Sequence, residues 1–366
     1  MNSSFEYVFP SIRGIQAQRE FYVSMCPLRL IPRVFLFNEE ELVPELRAQR
    51  VLNKSRLPEI ARYILDNRED YVFSALTASI DGDVSFVPAP GSESNERIGT
   101  LHVPMTATFV INDGQHRRAA IELAIREEPQ LADETIAVVF FLDVGLHRSQ
   151  QMFADLNRFA VKPSKSLGVL YDHRDHGAQL ARLVVLRSPV FRGVVEMERS
   201  TLAVRSRKLF TLSAIYAATR ALVGGQEAEP LDALALKAAD YWEEVAKHFP
   251  EWQLVRDRKM SAGEIRSDFI HSHGIVLQAL GRAGSALWAN QGSSWKEQLS
   301  NLETIDWSRN NAKLWEGRAM IGGKVTKGTH NVTLTTNVIK RALKLELTPE
   351  EQRVEDAFQR GDFAHD

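Results

Sequence analysis

The feature that most constrains the fold of this chain is a five-residue polar segment between an apolar stretch and a helix-forming stretch. Asp113-Gly-Gln-His-Arg117, here called the polar junction, follows the β-branched and aromatic run 107–111 and precedes the helix formers of 118–128. The first amides of a helix have no intrahelical partner, and the helix dipole makes that end positive. Glycine also lets another group approach the backbone closely, so we interpret the polar junction as a phosphate-binding corner.

Composition excludes several classes of protein. The 366 residues suffice for two or three domains, and the net charge of -2 gives no overall nucleic-acid signature. The single cysteine, Cys26, excludes an internal disulfide framework and a cysteine-based zinc site. We find neither a membrane-spanning apolar run nor a signal peptide, so we expect a cytoplasmic protein with no membrane partner.

The pattern of apolar residues predicts an α/β part followed by a mainly helical part. We place an α/β domain at 1–166, a helical domain at 167–293 and a C-terminal extension at 294–366 that packs on the body. Within the first domain we predict strands in 5–37, a helix at 57–66, a buried strand at 135–142 and a helix at 147–159. The Asp81-Gly82-Asp83 sequence predicts a hairpin between strands 71–80 and 84–87.

A basic stretch in the helical part is the best local candidate for DNA contact. Residues 182–220 hold eight basic residues against two acidic ones, a net charge of +6. Basic groups before a helix, as at 205–208, suit phosphate contacts that orient the helix on duplex DNA. The candidate DNA contacts are Arg199, Arg205, Arg207, Lys208 and Arg220, with Lys324 and Lys327 from a predicted basic hairpin at 322–330. A solvated basic face would explain the same pattern.

Other polar segments remain open or carry no site. The loop 157–166 offers Asn157, Lys162 and Lys165 either to an anion or as a polar linker. Arg50, Asn53, Lys54 and Arg56 could face phosphate or simply form a helix entry. The Asp/His groups at 171–176 and 268–273 lack metal-ligand spacing, so we predict no metal site. Trp295, Trp307 and Trp315 are expected in the core or at an interface.

The polar junction also resembles a known family. Residues 113–117 match the motif of the DGQHR-domain proteins, and within them the DndB proteins of bacterial DNA phosphorothioation (DNA sulfur modification). The likeness extends to 49–56, 153–166, 205–213 and 307–320. It implies a DNA-binding transcriptional repressor of the sulfur-modification operon, with double-stranded operator DNA as partner. A homodimer is expected for this class because a two-fold protein matches a palindromic operator.

More distantly, the first domain resembles the ParB/sulfiredoxin fold, whose members bind a nucleotide at a glycine-plus-arginine corner. Gln115 stands where sulfiredoxin has its catalytic cysteine, which argues against sulfinic-acid reductase chemistry. An alternative function is nucleotide hydrolysis or DNA nicking, with ATP or another nucleotide and Mg²⁺ as cofactor. Its catalytic residues would be Asp113, Gln115, His116 and Arg117, and its phosphate contacts Gly114, His116, Arg117, Asn157, Lys162 and Lys165. A helix cap with a surface ion pair would explain the polar junction without any ligand.

Overall fold

The computed structural model of this chain describes residues 5–35, 52–90, 96–142, 146–158, 162–224, 229–289 and 294–362. The chain divides into two compact units, Met1–Val161 and Lys162–Asp366. The first unit contains a mixed sheet with helices, and the second is mostly helical. The predicted order of an α/β part followed by a helical part is therefore confirmed.

Seven strands form one sheet within the described residues of the first unit. They are β1 (Glu6–Gln16), β2 (Arg19–Pro27), β3 (Leu76–Asp81), β4 (Ser85–Pro88), β5 (Ile98–Pro104), β6 (Thr108–Asp113) and β7 (Thr135–Leu142). Their order across the sheet is β4-β5-β1-β2-β7-β3-β6. The pair β3–β7 is parallel and the other pairs are antiparallel.

The hairpin predicted at Asp81-Gly82-Asp83 is wrong. Strand β3 pairs with β6 on one side and with β7 on the other, whereas β4 pairs with β5 at the far edge of the sheet. Since both edges of β3 are already hydrogen-bonded, the chain after Asp81 has no free β3 edge to return to. Local turn residues predicted the reversal of the chain but could not predict its partner strand.

Helices in this unit are α1 (Ile31–Val34), α2 (Leu57–Asp66), α3 (Gln115–Glu127) and α4 (Leu146–Arg158). The helix predicted at 57–66 and the strand at 135–142 are confirmed, and the helix predicted at 147–159 is confirmed with a shift of one residue. Strands predicted throughout 5–37 end at Pro27, because residues 28–34 form a 3-10 turn and α1 with Pro32 near its start. The sheet encloses a core of Phe9, Phe35, Phe109 and Phe140.

The second unit is a helical body with small two-stranded sheets. Its strands are β8 (Val195–Glu196), β9 (Phe210–Thr211), β10 (Met320–Ile321) and β11 (Lys324–Val325). Its helices are α5 (Lys165–Tyr171), α6 (His176–Arg187), α7 (Leu212–Val223), α8 (Leu231–Lys247), α9 (Pro250–Arg256), α10 (Ala262–Asp268), α11 (Gly274–Ala289), α12 (Trp295–Leu299), α13 (Ala312–Trp315), α14 (Thr329–Ala342) and α15 (Pro349–Arg360).

Helices α7 and α11 form the centre of this body. They approach so closely at Gly281 that a Cβ atom there would lie 2.2 Å from the Ala218 carbonyl oxygen. The residues after 294 share the same core, because Trp307 and Trp315 are buried in it and stack on each other. Trp295 packs against Tyr241. Trp307 and Trp315 are therefore core residues, as predicted, and Trp295 packs beside the core. The hairpin predicted at 322–330 lies at 320–325 instead, where β10 pairs with β11, and residues 329–330 belong to α14.

Candidate functional site

The polar junction begins where β6 ends and α3 starts. Gly114 adopts φ 105°, a left-handed conformation that favours glycine, and it precedes α3 without any capping side chain. A Cβ atom at this position would lie 2.4 Å from Leu76 Cδ2 of the neighbouring strand β3. The glycine is thus needed both for the turn and for the close packing of α3 against the sheet.

Arg117 points back into the first unit. Its Nη2 donates to Asp113 Oδ2 at 2.5 Å, and its Nη1 donates to the carbonyl oxygens of Ser74 and of Ala75, the latter at 2.8 Å. The Arg117 side chain is only 16% exposed. Its guanidinium therefore ties the start of β3 to the start of α3.

His116 connects the polar junction to the segment before α2. The backbone N–H of Asn53 donates to His116 Nε2 at 3.0 Å. Asn53 in turn caps the 3-10 turn Lys54–Arg56, where its side-chain oxygen accepts from the Ser55 amide at 3.1 Å. Two segments that the resemblance singled out are thus in contact. Because His116 Nε2 accepts this bond, the same nitrogen cannot donate a proton while the bond persists.

Gln115 and Arg118 are buried in the same unit. Arg118 Nε donates to the Phe35 carbonyl oxygen and its Nη2 to that of Pro32, both at 2.9 Å, so this arginine holds the α1 region against α3. The Asp113 side chain is 47% exposed. The side chains at 115–118 thus serve mainly as packing and hydrogen-bonding elements between strand and helix.

The other predicted phosphate contacts lie in different places. Lys162 and Lys165 are exposed residues at the start of the second unit, and Lys165 begins α5. Asn157 lies in α4, but the structure does not describe its side chain. Arg50 lies outside the described residues.

The predicted DNA contacts Arg205, Arg207 and Lys208 line a basic groove of the second unit with a volume of about 740 Å³. We call this the basic groove; among the described residues that line it, seven are basic and one, Glu264, is acidic. The basic residues are Arg192, Arg205, Arg207, Lys208, Arg256, Arg258 and Lys259. Arg192, Arg205, Arg207, Arg258 and Lys259 are exposed, and within the described parts of the chain none of these five forms an ion pair.

A second basic run at 256–259, at the end of α9, also lines the groove and was not predicted from the sequence. Arg258 has φ 60°, so the chain turns sharply there, and the Lys259 amide donates to the Leu254 carbonyl oxygen at 2.8 Å. Two adjacent basic residues in Arg256-Asp-Arg-Lys259 were a usable signal. These residues follow the 205–208 run by about fifty positions, so the sequence did not indicate that the two basic runs line the same groove. Only the fold brings them together.

The helix that follows the 205–208 run, α7, is largely buried. Thr211 caps α7 by accepting from the Ala214 amide at 3.2 Å, as the sequence suggested. However, α7 is packed in the core through residues such as Leu212, Ile215 and Ala218. Its remaining face is only partly exposed and lines a cavity through residues such as Tyr216 and Ala217. The basic groups themselves lie in the loop 203–208 that precedes β9 and α7.

The remaining predicted DNA contacts lie apart from the basic groove. Arg199 is exposed near the start of α5, where its carbonyl oxygen accepts from Ser166 Oγ at 2.9 Å. Arg220 stacks over the Tyr216 ring and hydrogen-bonds its hydroxyl at 3.3 Å. Lys324 and Lys327 line a second cavity together with Lys165. The predicted set is therefore divided among at least three locations.

Two histidines of the second unit, His271 and His273, lie within hydrogen-bonding distance of protein groups. His271 is buried, and its Nδ1 accepts from Trp252 Nε1 at 3.0 Å. His273 Nε2 lies 2.9 Å from the Arg266 carbonyl oxygen. Across the described residues, no group of three or more His, Cys, Asp or Glu side chains could hold a metal ion.

Comparison with known proteins identifies a family but no characterised relative. No curated protein and no solved structure matches the chain. In the part of the chain that the structure describes, no helix is long and apolar enough to cross a membrane. A family profile described as DNA-sulfur modification-associated, that of DndB, matches residues 9–346. The chain therefore belongs to the DndB family, which ties it to DNA sulfur modification.

Proposed function

We propose that this protein is a DNA-binding transcriptional repressor of the DNA sulfur-modification operon and that the basic groove contacts its operator. The observation that carries the proposal is the concentration of seven basic residues against one acidic residue in that groove, in a chain whose net charge is -2. A local positive field of this kind attracts the phosphate backbone even when the whole protein is slightly acidic.

Contact is made through loops rather than through a helix inserted in the major groove. The loop 203–208 and the turn 256–259 present Arg205, Arg207, Arg258 and Lys259 to solvent. Arginine and lysine on such loops suit phosphate contacts, which set the register of a protein on the duplex. The operator-binding form we propose is a homodimer, because two copies of the groove would match the half-sites of a palindrome.

The hydrolytic alternative has less support. It needs Arg117 to stabilise phosphoryl charge and His116 to transfer a proton, but both side chains are engaged with protein groups. DNA binding therefore accounts for the exposed basic residues of the groove, whereas catalysis at the polar junction does not.

The test is binding of the protein to the promoter fragment of its own sulfur-modification operon and to a scrambled fragment at matched salt. The variant R205E/R207E/K208E should weaken promoter binding strongly and lower the slope of log K against log salt by about 2 to 3, since each lost phosphate contact removes about 0.9.

The matched control is K313E/K344E/R353E, which makes the same charge change at exposed residues of the second unit outside the groove. It should retain most of the affinity. Equal binding to promoter and scrambled DNA would refute an operator-specific repressor. Equal loss in both triple variants would show that net charge, and not the basic groove, determines affinity.

A further inference from the structure

A second cavity of the helical unit, about 1130 Å³ in volume, is basic but is distinct from the DNA surface proposed above. It lies among α5, the start of α7, the start of α11 and the β10–β11 hairpin. Among the described residues that line it are five basic ones: Lys165, Arg266, Arg309, Lys324 and Lys327. Two carboxylates, Asp172 and Asp175, also line it.

Both carboxylates are already engaged by protein groups. Asp175 Oδ1 accepts from the Gly177 amide at 2.7 Å, and its Oδ2 accepts from the Tyr216 hydroxyl at 2.5 Å. Asp172 Oδ1 accepts from the Arg174 and Asp175 amides, each at 2.9 Å. Asp175 caps the start of α6, and Asp172 accepts from the amides just before it. Both keep their negative charge, but two carboxylates against five basic residues leave the lining of the cavity with an excess of positive charge.

The positive charge available to a ligand comes from lysines. Arg309 donates to the carbonyl oxygens of Arg266 and Gly323, at 3.2 and 3.0 Å, so its guanidinium is committed to the protein. Lys165, Lys324 and Lys327 are exposed at the cavity and form no ion pair within the described residues. Three ammonium groups at one opening repel one another unless an anion lies between them.

Lys327 illustrates this repulsion. Burial and the nearby charge of Lys165 lower the pKa of its ammonium group, although more than a third of the residue is exposed, so it lies at the mouth of the cavity. Its Nζ also lies about 4.0 Å from the position that a Cβ atom would take at Gly274, the first residue of α11. A cation at the positive end of a helix is unfavourable, and an anion bound there would reverse the sign of the interaction.

A buried hydroxyl beside this helix start has no partner. Ser272 lines the cavity and is only 3% exposed, yet its Oγ has no hydrogen-bond partner among the described residues. Buried hydroxyl groups are normally satisfied, so an unsatisfied one in a cavity wall indicates a missing bonding partner. Leu202, Phe210 and Ile275 add apolar surface to the same wall.

We propose that this cavity binds a small phosphorylated organic molecule. Its phosphate would lie between Lys165 and Lys327 near the start of α11, within reach of the Ser272 hydroxyl, and its organic part would pack on the apolar wall. The arrangement of cations, helix N-terminus and hydroxyl fits the charge and acceptor oxygens of a phosphate group. Its residues belong to the second unit, and of the phosphate contacts expected from the sequence they include Lys165.

The experiment measures binding of inorganic pyrophosphate to the full chain by titration calorimetry. Saturable binding is expected in the wild type. The variant K165A/K327A should weaken it at least about tenfold, because two charge-assisted contacts are lost. S272A should weaken binding without lowering the melting temperature of the free protein. K313A, at an exposed lysine outside the cavity, should leave binding unchanged.

The outcomes distinguish this site from the basic groove. R205E/R207E/K208E should bind pyrophosphate as the wild type does, whether or not the repressor proposal holds. Absence of saturable binding, or unchanged binding by K165A/K327A, would overturn the inference. If promoter DNA displaces bound pyrophosphate and K165A/K327A loses DNA affinity to the same extent, the cavity belongs to the DNA surface and the small-ligand proposal is wrong.

Discussion

Arg266 holds the loop that carries Lys208. Its Nη1 donates to the Lys208 carbonyl oxygen, and its Nη2 donates to those of Ala203 and Val204 at 2.9 and 3.1 Å. A single half-buried guanidinium on α10 thus fixes both ends of the loop 203–208. Burial lowers the pKa of this guanidinium, which remains charged at any physiological pH.

The first prediction concerns this loop. Arg266→Lys keeps the charge but cannot supply the planar fork of donors, so the loop should loosen and promoter affinity should fall about three- to tenfold. A gel-shift titration at fixed salt measures this effect, and the salt slope should stay near the wild-type value because no exposed cation is lost. Arg282→Lys, on α11, is the control. Wild-type affinity in the Arg266 variant would mean that loop order does not matter for binding.

The second prediction concerns the docking of α15 on α14. Glu355 is fully buried and accepts from Arg318 at 2.6 and 2.9 Å, from Arg341 at 3.0 Å and from Asn337 at 3.0 Å. Glu355→Gln leaves the arginines without their counter-charge and should cost about 3 kcal/mol in the free energy of unfolding. Urea denaturation measures this cost. Glu350→Gln, at an exposed position of the same helix, should change it by less than about 0.5 kcal/mol.

The same carboxylate predicts acid sensitivity. Burial alone would raise the pKa of Glu355, but hydrogen bonds from Arg318 and Asn337, together with the charges of Arg318 and Arg341, lower it below its ordinary value. Its contribution to stability is therefore present above the pKa of an unfolded glutamate and is lost as the pH falls through the lower folded value. The difference in unfolding free energy between wild type and Glu355→Gln should shrink on acidification. A constant difference from pH 7 to 3 would contradict this linkage.

His271 also predicts a loss of stability on acidification, but in a higher range of pH. Burial, and then the charge of His273, lower the pKa of its imidazole to about 3. Below about pH 6.5 the unfolded chain binds a proton that the folded chain does not, so stability should fall with pH by up to about 1.4 kcal/mol per unit. His271→Phe should lose stability at pH 7, since Trp252 Nε1 loses its acceptor, but should show a flatter profile between about pH 6.5 and 5. Parallel profiles would rule out His271 as the source.

The last prediction separates a structural role of the polar junction from a catalytic one. Arg117→Lys removes donors to Ser74, Ala75 and Asp113 and should destabilise the first unit by about 2 kcal/mol, measured by chemical denaturation. Arg126→Lys, in the same helix with its side chain 68% exposed, should have an effect below about 0.5 kcal/mol. Equal stability of the two variants would show that Arg117 does not hold β3 and α3 together.

Local signals determined much of the secondary structure. Pro58 and the apolar spacing after it defined α2, the run 135–142 defined β7, and Gly114 marked the turn into α3. These features depend on neighbours a few residues apart, which the sequence displays directly. The same local information failed at Asp81-Gly82-Asp83, because the partner of β3 is chosen by strands far along the chain.

The sequence by itself determined the family, the α/β-to-helical order and the residue types capable of binding phosphate. Only the tertiary structure decided which of them are available. It turned Arg117 inward onto Asp113, brought Arg258 and Lys259 beside Arg205 and Arg207, and placed Lys165 with Lys327 at one cavity. The physical reason is that the availability of a cation depends on its hydrogen-bond partners and its exposure. Both are set by contacts between residues distant in sequence, which the pattern of any one segment does not contain.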